Sequence, residues 1–269
     1  MDNPLDFSDK TVFVAGGTSG INLGIANGFA RAGARLAVIS RSADKVANAV
    51  ALLEATGAQA IGFSADVRDY AAVETTLRDT HARFGEIDVL ISGAAGNFPA
   101  PVLGMSANAF KSVVDIDLLG TFNVVRAGYA FLRKPGGSVI NISAPQAYVP
   151  SPLQAHVCAA KAGVDMLTRV LALEWGGEGV RVNSIVPGPI QGTEGMARLA
   201  PTPTILDAVT QSVPAGRLGT PEDVAKVAML LASPLCEYMN GVVLPVDGGW
   251  SLMGFGAIMK DLSKLLHKS

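Results

Sequence analysis

The sequence predicts an α/β fold, in which one doubly wound parallel sheet carries helices on both faces. Three observations predict it. Short apolar, β-branched runs recur along the chain, and between them lie longer stretches with apolar residues at helical spacing. The connections are short and rich in Gly, Pro, Ser and Asn. A content of 49% hydrophobic and 16% charged residues supplies a core large enough to bury strands on both faces.

The elements follow in order. Residues 11–15 read as the first buried strand. Gly16-Gly-Thr-Ser-Gly20 breaks it, and Ile21, Leu23, Ile25, Ala26, Phe29 and Ala30 mark a helix that Gly33 ends. Residues 35–39 are the second strand, which completes a βαβ unit with an expected right-handed crossover. Glycines at the turn let the backbone approach a ligand, and the helix start offers free N–H groups and a positive dipole end to a pyrophosphate. Gly16, Thr18, Ser19, Gly20 and Ile21 are therefore candidate cofactor contacts. The six-residue dinucleotide fingerprint is not met; Gly16, Gly20 and Gly24 stand in its place. An acidic residue at the end of the second strand would accept hydrogen bonds from an adenosine ribose, but this chain has Ser40-Arg41. A hydroxyl and a guanidinium fork suit a 2′-phosphate, which predicts NADP(H), the bland alternative being a solvated Arg41.

Helices are expected over 42–56 and 69–84, on either side of a strand at 60–64, with a further strand at 87–91. Residues 106–132 read as one long helix stopped by Pro135-Gly-Gly137. A strand at 138–142, a second long helix at 153–175 and a strand at 180–186 come next. Pro187-Gly188-Pro189 opens a segment rich in Thr, Pro and Met, and a helix at 221–232 and a strand at 242–246 close the sheet. With no internal repeat or linker, residues 1–269 are expected to form a single domain. Ligands of such sheets sit beyond the carboxyl ends of the strands, so the loops at 16–24, 40–42, 65–67, 92–98, 143–152 and 187–212 should converge.

Net charge of −2 gives no footprint for nucleic acid or an anionic membrane. Cys158 and Cys236 lack metal or redox spacing and read as reduced packing residues, so no metal site is expected. The start is acidic and polar, unlike a leader peptide, and no apolar run reaches ~18 residues. Ser263-Lys264-Leu265 is not at the chain's end and is no peroxisomal address, which leaves the cytoplasm as the expected location.

Asp66-Val67, Ala94-Ala-Gly96, Asn141-Ile-Ser143, Lys161-Ala-Gly163, Arg181-Val-Asn183, Pro187-Gly188 and Asp247-Gly-Gly249 stand in the order of the short-chain dehydrogenase/reductase family. The chain resembles that family over nearly its whole length. The resemblance implies a Rossmann-type fold, with cofactor contacts extending to Asp66, Val67, Ala94, Ala95, Gly96, Lys161, Pro187, Gly188 and Ile190. The family's turn, Thr-Gly-x-x-x-Gly-x-Gly, appears with Ala15 for Thr and Asn22 for the last Gly. Asn tolerates positive φ better than most residues, so the turn is expected to survive.

The chemistry departs from the family pattern of Asn, Ser, Tyr and Lys. The Tyr position holds Val157, the Ser position Ala144 and the Asn position Asp117; only Lys161 remains. Valine and alanine transfer no proton, which argues against an ordinary alcohol dehydrogenase. One branch resembles the chain in these gaps: the 2,4-dienoyl-CoA reductases, especially of the peroxisomal type. The matching segments are Ala94-Ala-Gly-Asn-Phe98, Asp115-Ile-Asp117, Leu153-Gln154 with His156, Pro187-Gly-Pro-Ile-Gln-Gly-Thr-Glu-Gly195 and Leu231-Ala-Ser-Pro-Leu235. This resemblance implies NADPH-dependent reduction of a dienoyl-CoA to a 3-enoyl-CoA, with Asp117 and Lys161 as the catalytic pair. A hydride added to the far end of the diene pushes charge onto the thioester oxygen, which the site must stabilise while a proton reaches carbon. Asp117 would order a water or donate the proton, and Lys161 would hold the ribose. Asp115 and Asp117 cannot share a helix face, and Asp117 is preferred because it takes the family's Asn place.

Phe98, Tyr148, His156 and Met196 are the expected substrate contacts, with Gln146 and Leu199 as further candidates. Arg198, Arg126 and Lys134 are candidates for CoA phosphates. Residues 190–213, with Gly192, Gly195, Pro201 and Pro203, read as a flexible lid that excludes water. The two long helices resemble the family's four-helix dimer contact. The last strand with residues 254–266 offers a second contact, which implies a homotetramer. Two alternatives stay open: another enone or carbonyl substrate, and a catalytically silent NADP(H)-binding sensor or scaffold.

Overall fold

Seven parallel strands make one sheet, in the order β3-β2-β1-β4-β5-β6-β7. They are β1 (Thr11–Ala15), β2 (Arg35–Ser40), β3 (Ala60–Ser64), β4 (Val89–Ser92), β5 (Ser138–Ile142), β6 (Arg181–Pro187) and β7 (Val243–Val246). The structure is a computed structural model and describes residues 3–253. The strand order reverses between β1 and β4, whose register pairs Ala15 with Ser92 and so opens a crevice at their carboxyl ends.

The helices follow from the apolar spacing already noted. On one face α1 (Gly20–Arg31) and α9 (Pro221–Ala232) bury Ile25, Phe29, Val224 and Leu231 against β1, β4 and β5. On the other, α3 (Tyr70–Phe84), α5 (Gly120–Gly128) and α6 (Ala155–Trp175) bury Val73, Leu77, Val124, Val125 and Leu171. α2 (Ala43–Glu54) starts at a Ser42 cap and α3 at an Asp69 cap. Cys236 is buried and Cys158 half-buried, and both are unpaired. Among the described residues no helix is long and apolar enough to cross a membrane.

The structure differs from the sequence expectation in four places. The helix expected at 106–132 is α4 (Ala107–Val114), a π turn at Asp115–Leu119, then α5 and a 3₁₀ turn at Tyr129–Phe131. In the π turn Asp117 is buried, while Asp115 pairs with Lys111. β4 starts at Val89 because Ile87 makes only an isolated bridge with Leu132. α6 starts at Ala155 because Leu153 has φ +68, outside any right-handed helix. Within the lid segment stand two helices, α7 (Glu194–Leu199) and α8 (Pro203–Ser212), capped by Thr193 and Thr202. The contact expected of residues 254–266 lies outside the described residues.

Candidate active site

A cavity of about 830 Å³ opens beyond the carboxyl ends of the strands, and all six expected loops contribute to its wall. Its first part is built from backbone. Gly16 has φ +78, and a Cβ there would stand 2.9 Å from the backbone of Ala94. Gly20 has φ +53 at the start of the twelve-residue α1, where the Ser19 side chain caps none of the free N–H groups. Those amides and the positive end of the helix dipole therefore remain for an anion at the cavity wall. A nicotinamide dinucleotide fits this cradle: its pyrophosphate would meet the Gly16–Ile21 backbone and the uncapped amides at the start of α1.

Asn22 does something other than expected. It lies inside α1 without a positive φ, and its Nδ2 donates to the Gly93 carbonyl at 2.7 Å. That bond stitches the glycine turn to the loop after β4. Gly24 faces away from the cradle, since a Cβ on it would lie 2.4 Å from Pro221 of α9. The glycine series thus splits: Gly16 and Gly20 shape the cavity wall, and Gly24 lets two helices close.

At the end of β2, Ser40 and Arg41 line the cavity with Lys45, one turn into α2, a cation the sequence analysis passed over. Lys45 pairs with Glu194 of α7 at 2.9 Å and holds that carboxyl below its ordinary value. Asp66 and Val67 also line the cavity. Arg68 clamps the Asp66 carboxylate, with Nε 3.0 Å from Oδ1, and lowers its pKa, with a smaller contribution from Arg41.

The second part is built from side chains. Asp117 is buried, and both of its oxygens are engaged: Oδ1 accepts from the Gly96 N–H at 2.7 Å, and Oδ2 lies 3.3 Å from Lys161 Nζ. Lys161, also buried, donates to the Ile142 carbonyl at the end of β5 at 3.0 Å. One helical turn on, Asp165 accepts from Ser184 Oγ at 3.1 Å, and burial pushes its carboxyl above the ordinary value. Val157 and Ala144 line the cavity beside Lys161 and bring no ionisable group.

Ala94, Ala95, Gly96, Pro187, Gly188, Ile190, Met196, Gln146, Leu199 and Arg198 all line the cavity, but Phe98, Tyr148 and His156 do not. His156 is fully buried and packs edge-to-face on Phe98, ring centroids 4.5 Å apart, behind the wall. Tyr148 is exposed and turns its hydroxyl to Ser251. Arg126 sits over the Tyr70 ring and Lys134 over Tyr129, both away from the cavity.

Two residues that carry the wall were given no role from the sequence. Asn97 follows Gly96, and its backbone carbonyl accepts from Arg198 of α7 at 2.9 Å. Its Oδ1 accepts from Gln154 at 3.1 Å, and Gln154 in turn accepts from Gln146 at 2.7 Å. Residues far apart in sequence thus form a frame around the cavity, and α7 closes it.

The chain matches known proteins over nearly its full length. The family described as enoyl-(acyl carrier protein) reductase matches residues 15–251. A protein of Rattus norvegicus named peroxisomal 2,4-dienoyl-CoA reductase [(3E)-enoyl-CoA-producing] is 45% identical over 261 residues, 96% of this chain and 88% of that protein. The Arabidopsis thaliana protein of the same name is 38% identical, covering 100% of this chain and 94% of that one. The solved structure of a short chain dehydrogenase from Bacillus anthracis superposes with a TM-score of 0.83 at 37% identity, over 92% of this chain and 98% of that one. The expected cytoplasmic location does not stand, since these reductases are named for the peroxisome.

Proposed function

Because the chain belongs to the short-chain dehydrogenase/reductase family and is a nicotinamide-dependent oxidoreductase, we propose that it reduces 2,4-dienoyl-CoA thioesters to 3-enoyl-CoA with NADPH. The observation that carries this reading is a cavity with hydrogen-bonding groups around it and Val157 and Ala144 where hydroxyl acids would stand. Such a wall can stabilise a charged oxygen but has no phenol to protonate an alkoxide.

When bound, the nicotinamide supplies a hydride to the far end of the conjugated diene. The residues of this chain then have separable tasks. Lys161, fixed by Asp117 and the Ile142 carbonyl, holds the nicotinamide ribose and keeps positive potential beside the reacting carbons. Asp117 positions rather than donates: with one oxygen on Gly96 N–H and the other on Lys161, it sets the 96–97 loop against the lysine. Asn97 presents its side-chain N–H₂, which has no partner among the described residues, to the thioester oxygen as charge arrives there. The proton for the α-carbon comes from water. Ser40, Arg41 and Lys45 hold the 2′-phosphate, and Met196 and Leu199 form the apolar side for the acyl chain. Arg198 meets the CoA moiety at the cavity edge.

The exposed apolar residues Phe110, Leu119 and Phe122 on the α4–α5 side, with Met166, Val170 and Leu173 on α6, support association of copies. A homotetramer is the assembly we infer from the family.

The test is product analysis after reaction in deuterated water with 2,4-hexadienoyl-CoA and either NADPH or NADH. The reading expects a 3-enoyl-CoA with one solvent deuterium at the α-carbon, formed with NADPH in preference to NADH. A 2-enoyl product, or an unchanged thioester, would overturn it.

A further inference from the structure

Three side-chain amides stand in a row along the cavity wall: Gln146, Gln154 and Asn97. Each amide has one donor end and one acceptor end, so joining them head to tail makes the orientation of one dictate the others. In the structure Gln146 Nε2 donates to Gln154 Oε1 at 2.7 Å, and Gln154 Nε2 donates to Asn97 Oδ1 at 3.1 Å. That polarity turns the N–H₂ of Asn97 away from Gln154.

Gln154 is unusual in its setting. It occupies the N-cap of α6, yet its side chain caps no helix N–H and is buried at 4% exposure. The residue before it, Leu153, is one of two non-glycine residues with positive φ among those described. A left-handed Leu costs about 1–2 kcal/mol relative to the right-handed form. The chain is thus bent at a local cost, and the bend delivers Gln154 to the amide row instead of to the end of its own helix.

We propose that Gln154 is a positioning residue that sets which end of the Asn97 amide faces the substrate, keeping a donor, not an acceptor, toward the thioester oxygen. The backbone of Asn97 is held separately, by Arg198 on its carbonyl and by Asp117 on the preceding N–H. What remains free at Asn97 is rotation of the terminal amide, and Gln154 determines it. This rests on the dienoyl-CoA reading above.

The experiment uses the full chain with NADPH and 2,4-hexadienoyl-CoA, comparing wild type, Gln154→Glu and Gln154→Ala between pH 5 and 8. An ionised Glu can only accept, so Asn97 must turn its N–H₂ toward it and show a carbonyl to the substrate. A protonated Glu can donate to Asn97 Oδ1 and restore the native polarity. Relative to wild type, kcat of Gln154→Glu should be about 100-fold lower at pH 8, the usual loss for one oxyanion donor. It should recover about tenfold or more toward pH 5, since burial raises the pKa of the new carboxyl. Gln154→Ala should be low throughout, and NADPH affinity, read by fluorescence titration, should be unchanged in both variants. A merely structural role predicts a loss independent of pH; that flat ratio, or a fully active Gln154→Ala, would overturn the proposal. Absence of turnover in wild type with NADPH still bound would instead overturn the functional reading, and this inference with it.

Discussion

The β1 side of the cavity is lined by backbone: Gly16, Gly20 and the free N–H groups at the start of α1, with positive φ at both glycines. The β5 and α6 side is lined by side chains from distant parts of the chain, Asn97, Asp117, Gln154 and Lys161, each fixed by another. The first surface is local, and any residue with a Cβ at Gly16 would spoil it. The second is a network, whose members lose their meaning when a neighbour is removed. Under the proposed function the first would serve the cofactor and the second the particular reaction, which is how one fold carries many chemistries.

The largest effect should come from breaking the network at its buried charge. Lys161→Ala removes the cation beside buried Asp117, at a cost of about 3–5 kcal/mol in stability, together with loss of turnover. Because the two residues act as a pair, Lys161→Ala with Asp117→Asn should melt higher than Lys161→Ala alone, measured by calorimetry. A double variant no more stable than the single would mean that the pair is not coupled.

Next comes the phosphate end of the backbone surface. Arg41→Ala should weaken NADPH binding by roughly 1.5–3 kcal/mol, the range for a hydrogen bond to a charged group, and leave NADH binding as it was. Equal losses for the two nucleotides in a fluorescence titration would remove Arg41 from the 2′-phosphate.

The glycines sharpen the comparison at a smaller scale. Gly16→Ala and Gly24→Ala both force a Cβ into occupied space, at about 1–3 kcal/mol each. Gly16→Ala should appear mainly as weaker nucleotide binding, and Gly24→Ala as a lower melting temperature with affinity intact. Identical behaviour would contradict the division of the glycine series.

The smallest effect lies on α9, which supports the backbone surface through Gly24. Asp223 closes a capping box with Thr220 and pairs with Arg217, which together bring its pKa to about 2 from an ordinary 3.8. Its folded-state pKa is depressed, so its contribution is present above pH ~4 and is lost as pH falls through about 2. Asp223→Asn should therefore lower stability near neutral pH by roughly 0.3–1.5 kcal/mol, the worth of one capping feature at a partly exposed position. The difference should shrink progressively in melts run from about pH 4 down to about pH 2.

What was legible in the sequence divides along the same line. The sheet, the glycine turn, Ser40-Arg41 and the absence of a Tyr before Lys161 are local signals, and each could be read from a few adjacent residues. The π turn at Asp115–Leu119 could not, because one extra residue in a helical turn leaves no mark on apolar spacing, although the two acids, two residues apart, already fall on different faces in the sequence reading. Gln154 was hidden for another reason. Its neighbour His156 reads as the substrate contact, and the positive φ at Leu153 accompanies the bend that brings Gln154 to the wall. Lys45 was overlooked because a lysine one turn into a helix reads as solvated until Glu194 of α7 is seen across from it.

The central claim is that this site moves a hydride to substrates whose charge ends on a thioester oxygen, with Val157 and Ala144 standing where the hydroxyl acids for an alkoxide would be. The most direct measurement is kcat/KM with NADPH for 2,4-hexadienoyl-CoA beside acetoacetyl-CoA. The account predicts that the dienoyl thioester is reduced at least about 100-fold more efficiently, the low end of what a general acid contributes. Equal or faster reduction of the keto group would contradict it, because that reaction needs the proton donor that Val157 and Ala144 do not provide.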